Sequence, residues 1–156
     1  MNRKNKKITI IGFVMISVAT IGLISVSAFT SSPNPPKKKG VVQMDRAMYI
    51  EKIHDFVATP DTFVFKGTRP AVVDFYADWC RPCKHLAPII EELSGEYKDK
   101  VDFYKINVDQ ERELAMIHSV SSIPVVFIFT AKGKPTYSLG AMNKEDYESL
   151  INEALK

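Results

Sequence analysis

The chain has 156 residues, enough for one domain and a terminal tail, and a formal net charge of +3. Seven of its 21 basic residues lie among the first 39 positions, where no acidic residue occurs, so residues 40–156 carry 14 basic and 18 acidic side chains and a net charge of −4. A nucleic-acid-binding protein keeps its basic surplus on the folded domain, and this distribution therefore excludes that function.

Residues 8–29 form an uncharged apolar run after a basic start, which is the layout of a secretory signal. Small residues at 26–28 predict cleavage after Ala28. As a helix, these 22 residues would extend ~33 Å, enough to cross a ~30 Å hydrocarbon core, so retention as an anchor is the alternative. A buried core helix is disfavoured because the run has no polar face.

Either form of this signal leaves the basic start in the cytoplasm and exports the rest of the chain. We expect a periplasmic protein that is soluble after cleavage, or that contacts the membrane only through residues 8–29. Residues 30–40 are rich in Pro, Ser and Lys and predict an extended linker. We favour a solvated spacer over contact of its lysines with anionic headgroups. The sequence thus divides into a signal peptide or anchor (1–29), a linker (30–40) and a folded domain (41–156).

The folded domain alternates between helical and extended patterns. In chain order the predicted elements are a helix at 44–57, a short strand at 62–65, a buried strand at 71–76, a helix from 84 to about 97, a strand at 101–108, a helix at 111–118, a strand at 124–129, an antiparallel strand at 136–139 and a closing helix to 155 that Asn143 caps. This order predicts an α/β fold with a central mixed sheet and helices on both faces.

The only two cysteines, Cys80 and Cys83, lie between the predicted strand at 71–76 and the helix that follows it. At this spacing the two thiols can close a small disulfide ring. The first turn of a helix offers unpaired N–H groups and a positive dipole end, which favour a thiolate. We expect Cys80, nearest the exposed loop, to attack and Cys83, one turn inside, to resolve the mixed disulfide. Arg81 adds a permanent charge and Pro82 restricts the loop between the thiols.

Three other interpretations of the cysteine pair remain to be weighed. A structural zinc site normally needs a second pair of ligands, and the three histidines (His54, His85 and His118) are scattered, so we predict no metal. Covalent haem attachment needs a histidine directly after the second cysteine, where Lys84 stands. A purely structural disulfide is possible in an exported protein, but so small a loop would constrain the unfolded chain little. Redox chemistry by the thiols alone, without a cofactor, is the favoured interpretation.

Three further residues support a redox site. Asp74 interrupts an apolar strand, and burial there would raise its pKa and let it exchange a proton with a nearby sulfur; the alternative is a solvent-facing carboxylate. Lys105, on the neighbouring predicted strand, could moderate Asp74 by its charge. Pro124 could simply open its strand, or a cis bond after Ile123 could turn the backbone towards an incoming peptide.

The domain resembles the thioredoxin family across residues 62–155. The matching segments are Val73–Lys84, with Trp79-Cys80-Arg81-Pro82-Cys83 at its centre, Lys105–Gln110, Ile123-Pro124, Gly133 and Gly140-Ala141. Their joint order is far more specific than two cysteines three positions apart.

The resemblance implies a thioredoxin fold and assigns a role to each matching residue. Cys80 would be the nucleophile and Cys83 the buried resolving thiol. Asp74 would be the general acid and base with Lys105 beside it, and Pro124 would be a cis-proline packed against the disulfide. The substrate groove would consist of four further residues: Trp79, Ile123, Gly140 and Ala141.

These roles imply a protein-disulfide reductase that acts on protein substrates through a mixed disulfide at Cys80. Reduction outside the cytoplasm would need a membrane partner that carries electrons across. A disulfide-forming oxidase or isomerase is the alternative within the enzyme class, and a peptide-binding or chaperone module that uses the same groove without turnover is the alternative outside it. Arg81 stands where the usual cytosolic motif has glycine, so the reduction potential of the family does not transfer.

Overall fold

The computed structural model describes residues 40–156. The predicted export segment at residues 8–29, the cleavage point after Ala28 and residues 30–39 of the predicted linker lie outside the described residues. Within residues 40–156, no helix has the length and apolar content needed to cross a membrane.

Five strands form one mixed sheet in the order β1-β3-β2-β4-β5. They are β1 (Val42–Gln43), β2 (Ala71–Tyr76), β3 (Asp102–Asn107), β4 (Val125–Phe129) and β5 (Thr136–Leu139). Strands β1, β3 and β2 are parallel, and β4 and β5 are antiparallel to their neighbours. The central strand β2 is apolar except at Asp74 and is buried on both faces, as a strand covered by helices on both sides must be.

Four helices cover the two faces of this sheet. They are α1 (Arg46–Lys52), α2 (Arg81–Glu96), α3 (Arg112–Ile117) and α4 (Lys144–Leu155). On one face, Val72 and Val126 pack against buried residues of α2 and α4. On the other face, Val73 and Phe127 pack against Tyr49 of α1 and Leu114 of α3. The predicted α/β fold with helices on both faces is confirmed.

The predicted elements from residue 71 onwards are confirmed, with ends that shift by up to three residues. Asn143 accepts a hydrogen bond from the Asp146 N–H and caps α4 as predicted. Helix α2 continues through Pro88 as a single helix, with an apolar stripe of Leu86, Ile90 and Leu93 on its buried side.

The N-terminal part of the domain differs from the prediction. The predicted strand at 62–65 is wrong, because the backbone there bonds to the end of α1: the Val64 N–H donates to His54 Nδ1 and the Lys66 N–H to the Ile53 carbonyl. Phe63 and Phe65 alternate because both pack on the core, not because they belong to a sheet. The helix predicted at 44–57 is shorter, since Asp45 caps it and it ends at Lys52. A two-residue strand, β1, precedes it, so the domain begins with a strand and not with a helix.

Candidate active site

A disulfide joins Cys80 and Cys83 where β2 passes into α2, with their Cα atoms 5.3 Å apart. Strand β2 ends at Tyr76, and the Cys80 N–H donates to the Ala77 carbonyl in the turn that follows. Cys80 is the N-cap of α2, and its Sγ accepts a hydrogen bond of 3.2 Å from the Cys83 N–H. Pro82 fits the first turn, where no backbone donor is needed. The local sequence thus presents a sulfur to the positive end of a 16-residue helix.

The two cysteine residues do not differ in exposure, although the sequence predicts Cys80 nearest the exposed loop and Cys83 one turn inside. Each cysteine is 3% exposed in this disulfide form. They differ in their place on the helix, because Cys80 caps it from outside and Cys83 lies within its first turn. An assignment of Cys80 as the attacking thiol therefore rests on helix position and not on solvent access.

Asp74 lies in the middle of β2 and is only 4% exposed. It shares the strand face of Val72, which α2 and α4 cover, and its Oδ1 has no hydrogen-bond partner. Burial raises the pKa of Asp74 to about 7, and the positive charge of Lys105 partly opposes this. The solvent-facing alternative for Asp74 is therefore wrong, and the group can bind or release a proton near neutral pH.

Lys105 is directly opposite Asp74 in the parallel register of β2 and β3. Its Nζ lies 5.7 Å from the centre of the Tyr76 ring, a cation–π distance. The Tyr76 hydroxyl in turn donates to Gln43 Oε1 on β1. Since Asp74 Oδ1 has no hydrogen-bond partner, Lys105 affects that oxygen through its charge only.

The loop before β4 closes over the disulfide. The Ile123–Pro124 peptide bond is cis, and Ile123 packs against Ala77, Cys80 and Cys83. The Gly140 N–H donates to the Pro124 carbonyl at 2.8 Å, and Gly140 has a φ of +83°, a conformation that favours glycine. This bond brings the Gly140-Ala141 turn beside Pro124.

Trp79 is 69% exposed and lines a cleft of about 330 Å³, two of whose other lining residues, Val108 and Ile123, pack against the cluster that contains the disulfide. We call this the Trp79 cleft, and its lining consists of Trp79, Val108, Val120, Ser121, Ser122 and Ile123. It joins two of the four predicted groove residues, Trp79 and Ile123, whereas Gly140 and Ala141 are not part of its lining.

A hydrogen-bond chain that the sequence reasoning missed fixes Trp79. The indole N–H donates to Asp109 Oδ2 at 2.8 Å, and the Asp109 N–H donates to Asn107 Oδ1. The buried Asn107 also donates to Asp78 at 3.4 Å. The sequence did contain a signal for these bonds, because the polar segment Asn107-Val108-Asp109 comes at the end of a strand. Neighbouring parallel strands end at the same edge of a sheet, which brings this segment close to the end of β2.

Arg81 is exposed at the first position of α2, beside the disulfide. Among residues 40–156, no group of three His, Cys, Asp or Glu side chains has the geometry of a metal site.

Comparison with known proteins gives a consistent result. A profile of the thioredoxin family matches residues 54–153, which include every predicted site residue. A thioredoxin from Borreliella burgdorferi is 37% identical over 105 residues, covering 67% of this chain and 89% of that protein. An M-type chloroplastic thioredoxin from Brassica napus is 33% identical over 138 residues, covering 87% and 76%. Among solved structures, the Malassezia sympodialis thioredoxin Mala s 13 has a TM-score of 0.60 at 26% identity and covers 75% of this chain and 93% of that one.

Proposed function

This chain belongs to the thioredoxin family, and we propose that it is an exported thiol:disulfide oxidoreductase that reduces disulfides in protein substrates. One observation carries the proposal: the Cys80–Cys83 disulfide lies at the N-terminus of α2, and this helix covers the sheet face on which Asp74 is buried. A helix end stabilises the attacking thiolate, and a buried group that titrates near neutral pH can accept the proton of the second thiol.

The reaction begins from the dithiol form of the chain. The Cys80 thiolate attacks one sulfur of the substrate disulfide, forms a mixed disulfide and expels the other substrate sulfur as a thiolate. Cys83 then loses its proton and attacks Cys80 Sγ, which releases the second substrate thiolate and leaves the Cys80–Cys83 disulfide. The substrate gains two electrons and, from Cys83 and solvent, two protons.

Asp74 supplies the base for the second step. Its pKa of about 7 means that a carboxylate is present at neutral pH and can accept the Cys83 proton. The protonated carboxyl can later return that proton to the departing sulfur. Lys105 favours the carboxylate form, so its charge increases the fraction of chains that are ready to accept the proton.

The apolar walls of the Trp79 cleft favour a protein substrate over a small thiol. Its walls include the apolar side chains of Trp79 and Ile123, and Ile123 packs against both cysteines. Gly140 lies outside this lining, next to Pro124. An extended substrate chain can lie along residue 123, the residue before Pro124, and bring its own disulfide over Cys80.

The direction of electron flow and the compartment rest on the sequence. Pro82, Asp74 and Lys105 support reduction, whereas the exposed Arg81 beside the thiols supports a higher reduction potential and keeps oxidase or isomerase activity as the second candidate. The basic start and the uncharged run at 8–29 support export. An exported reductase would receive its electrons from a membrane partner. The name of the Brassica napus relative assigns that protein to chloroplasts, so the N-terminus of the mature chain should be determined by mass spectrometry.

The nucleophile and the reaction type can be tested by trapping. We expect Cys83→Ser to accumulate covalent adducts with proteins bearing disulfides, because the mixed disulfide at Cys80 cannot be resolved. Cys80→Ser is the matched control and should form no such adduct and have no turnover. Non-covalent retention by both variants would instead indicate a binding module. A potential near ~−270 mV against glutathione would support the reductase, and one near ~−120 mV the oxidase.

A further inference from the structure

A second apolar pocket lies on the other side of the loop that borders the Trp79 cleft. Its volume is about 360 Å³, and it is bounded by loop 119–122 and by strand β5. Five side chains besides the loop form its lining: His118, Val125, Phe127, Tyr137 and Leu139. We call it the β5 pocket.

The β5 pocket has large apolar side chains that nothing in the described domain covers. Tyr137 is 63% and Leu139 64% exposed, and both lie on the sheet face of Phe127 and Val125, their register partners on β4. The Tyr137 ring is 5.6 Å from that of Phe127, so the pocket has an aromatic wall over an aromatic floor. Since β5 is an edge strand, the backbone on its outer side is also open to an added chain.

The pocket is free of formal charge. No Asp, Glu, Lys or Arg contributes to its lining. The lining contains one histidine, His118, whose pKa burial lowers to about 4, so that it is neutral at physiological pH. Such a surface favours an uncharged aromatic or aliphatic group and disfavours a charged one.

The β5 pocket adjoins the Trp79 cleft. Both are lined by Val120, Ser121 and Ser122, so only this loop separates them. Leu139 precedes Gly140, whose N–H is bonded to the Pro124 carbonyl at the edge of the active site. A substrate chain held over Cys80 can therefore extend across this loop into the β5 pocket. The closeness of the pocket to the disulfide favours a substrate segment, and not a second copy of this chain, as its occupant.

We propose that the β5 pocket binds an aromatic or large aliphatic side chain of the protein substrate, close in sequence to the cysteine that Cys80 attacks. This inference rests on the proposed function and names its substrate class: disulfides flanked by an apolar residue. In an extended segment every second side chain faces the same way, so residues two before or two after the reactive cysteine are the candidates.

The test uses the reduced full-length chain and short peptides with one internal disulfide. The peptides are identical except for Phe, Ser or Lys two residues before or two residues after the first cysteine. We expect kcat/KM for a Phe peptide at one of these positions to exceed that for its Ser counterpart by about tenfold, which corresponds to ~1.4 kcal/mol. The Lys peptide should be no better than the Ser peptide.

Two variants assign this preference to the pocket. Tyr137→Ser should reduce the Phe-to-Ser ratio to below about threefold, and Leu139→Asp should reverse the order of the Phe and Lys peptides. Val57→Ser is the matched control, because Val57 is 61% exposed and lies outside both the cleft and the pocket; it should keep the tenfold ratio.

Each other result overturns the proposal. A ratio near one in the wild type, or an equal loss of the ratio in Val57→Ser, would contradict a specific pocket. A dimer that Tyr137→Ser abolishes in sedimentation, with the peptide preference intact, would assign the surface to a second copy of the chain. If the Ser peptide itself were not reduced, the proposed function would fail and this inference with it; if it were reduced and Phe gave no gain, only this inference would fail.

Discussion

Each face of the sheet buries a titratable centre, Asp74 on one face and the Tyr49–His118 pair on the other, and the two centres differ in their hydrogen bonding. On the face covered by α2 and α4, Asp74 has an oxygen without a hydrogen-bond partner. On the opposite face, the Tyr49 hydroxyl and His118 Nε2 form a hydrogen bond of 2.6 Å inside a cluster of aromatic rings. Folded proteins rarely leave buried polar atoms unpaired, so the exception calls for an explanation. It occurs on the face covered by α2, the helix that begins at the disulfide, whereas the paired centre lies among the aromatic rings of the opposite face.

Burial acts on both centres and shifts their pKa values in opposite directions. Burial raises the pKa of Asp74 from its usual 3.8 to about 7 and lowers that of His118 from 6.5 to about 4. Both groups are thus driven towards their neutral forms. Only Asp74 is brought into the physiological range, where it can exchange protons, while His118 is moved out of it. The difference lies in the chemistry of the group and not in the depth of burial.

The largest expected effect concerns Asp74, whose replacement by Asn should stabilise the folded chain at high pH. The folded chain holds a proton on Asp74 that the unfolded chain releases, so this group's contribution to stability falls as pH rises from about 4 to about 7. At pH 8 the variant should be more stable than the wild type by up to about 4 kcal/mol, and near pH 4 the gain should vanish. Urea unfolding at both pH values measures it. An equal gain at the two values would contradict a buried titrating carboxyl.

A second effect should emerge in the same variant on acidification. Because the pKa of His118 is lowered, its contribution to stability is present above about pH 6.5 and is lost as pH falls to about 4, by about 3 kcal/mol. In the wild type the Asp74 dependence has the opposite sign over nearly the same range and masks this loss. Asp74→Asn should therefore lose about 3 kcal/mol between pH 7 and pH 4, whereas the stability of the wild type should change little over that range. The exposed-site control Glu145→Gln should follow the wild-type curve of stability against pH. If the Asp74→Asn curve also ran parallel to the wild-type curve, opposite contributions of Asp74 and His118 would be disproved.

The smallest of the three effects concerns the paired centre alone. Tyr49→Phe removes the hydrogen bond to His118 and leaves a buried ring nitrogen without a partner, which should lower the free energy of unfolding by about 1–3 kcal/mol. Reduction of a disulfide without a flanking apolar residue should stay within about twofold of the wild-type rate, because Tyr49 lines neither the Trp79 cleft nor the β5 pocket and its partner His118 lines only the latter. A rate that falls together with the stability would mean that the two faces are coupled.

The sequence predicts well where a residue contradicts its local pattern. Asp74 is visible because it interrupts an apolar strand, and the two cysteines are visible because they stand at a strand-to-helix junction. Both signals are local, and the structure has Asp74 buried and the cysteines joined at that junction. The roles in catalysis of these residues, and of Lys105 and the groove residues, stay predictions.

The errors and omissions arise where the decisive contact is distant in the chain. Strand β1 has two residues with exposed side chains, so it carries no alternating pattern and exists only through its pairing with β3. The bond from Trp79 to Asp109 spans 30 residues, and that from Tyr49 to His118 spans 69. The equal burial of the two cysteines likewise depends on Ile123 packing over them from a distant loop. Periodicity cannot register such contacts, because it describes only the near neighbours of each residue.

The central claim is that Asp74 exchanges protons with the disulfide centre, and the pH dependence of single-turnover reduction tests it most directly. The rate constant for reduction of a peptide disulfide should be measured between pH 5 and pH 9 in the full-length chain and in Asp74→Asn. The wild-type rate should rise with an inflection near pH 7, since the Asp74 carboxylate must be free to accept the Cys83 proton. Asp74→Asn should be slower by roughly 100-fold at pH 7 and should lack that inflection. Superimposable profiles for the two chains would contradict the account.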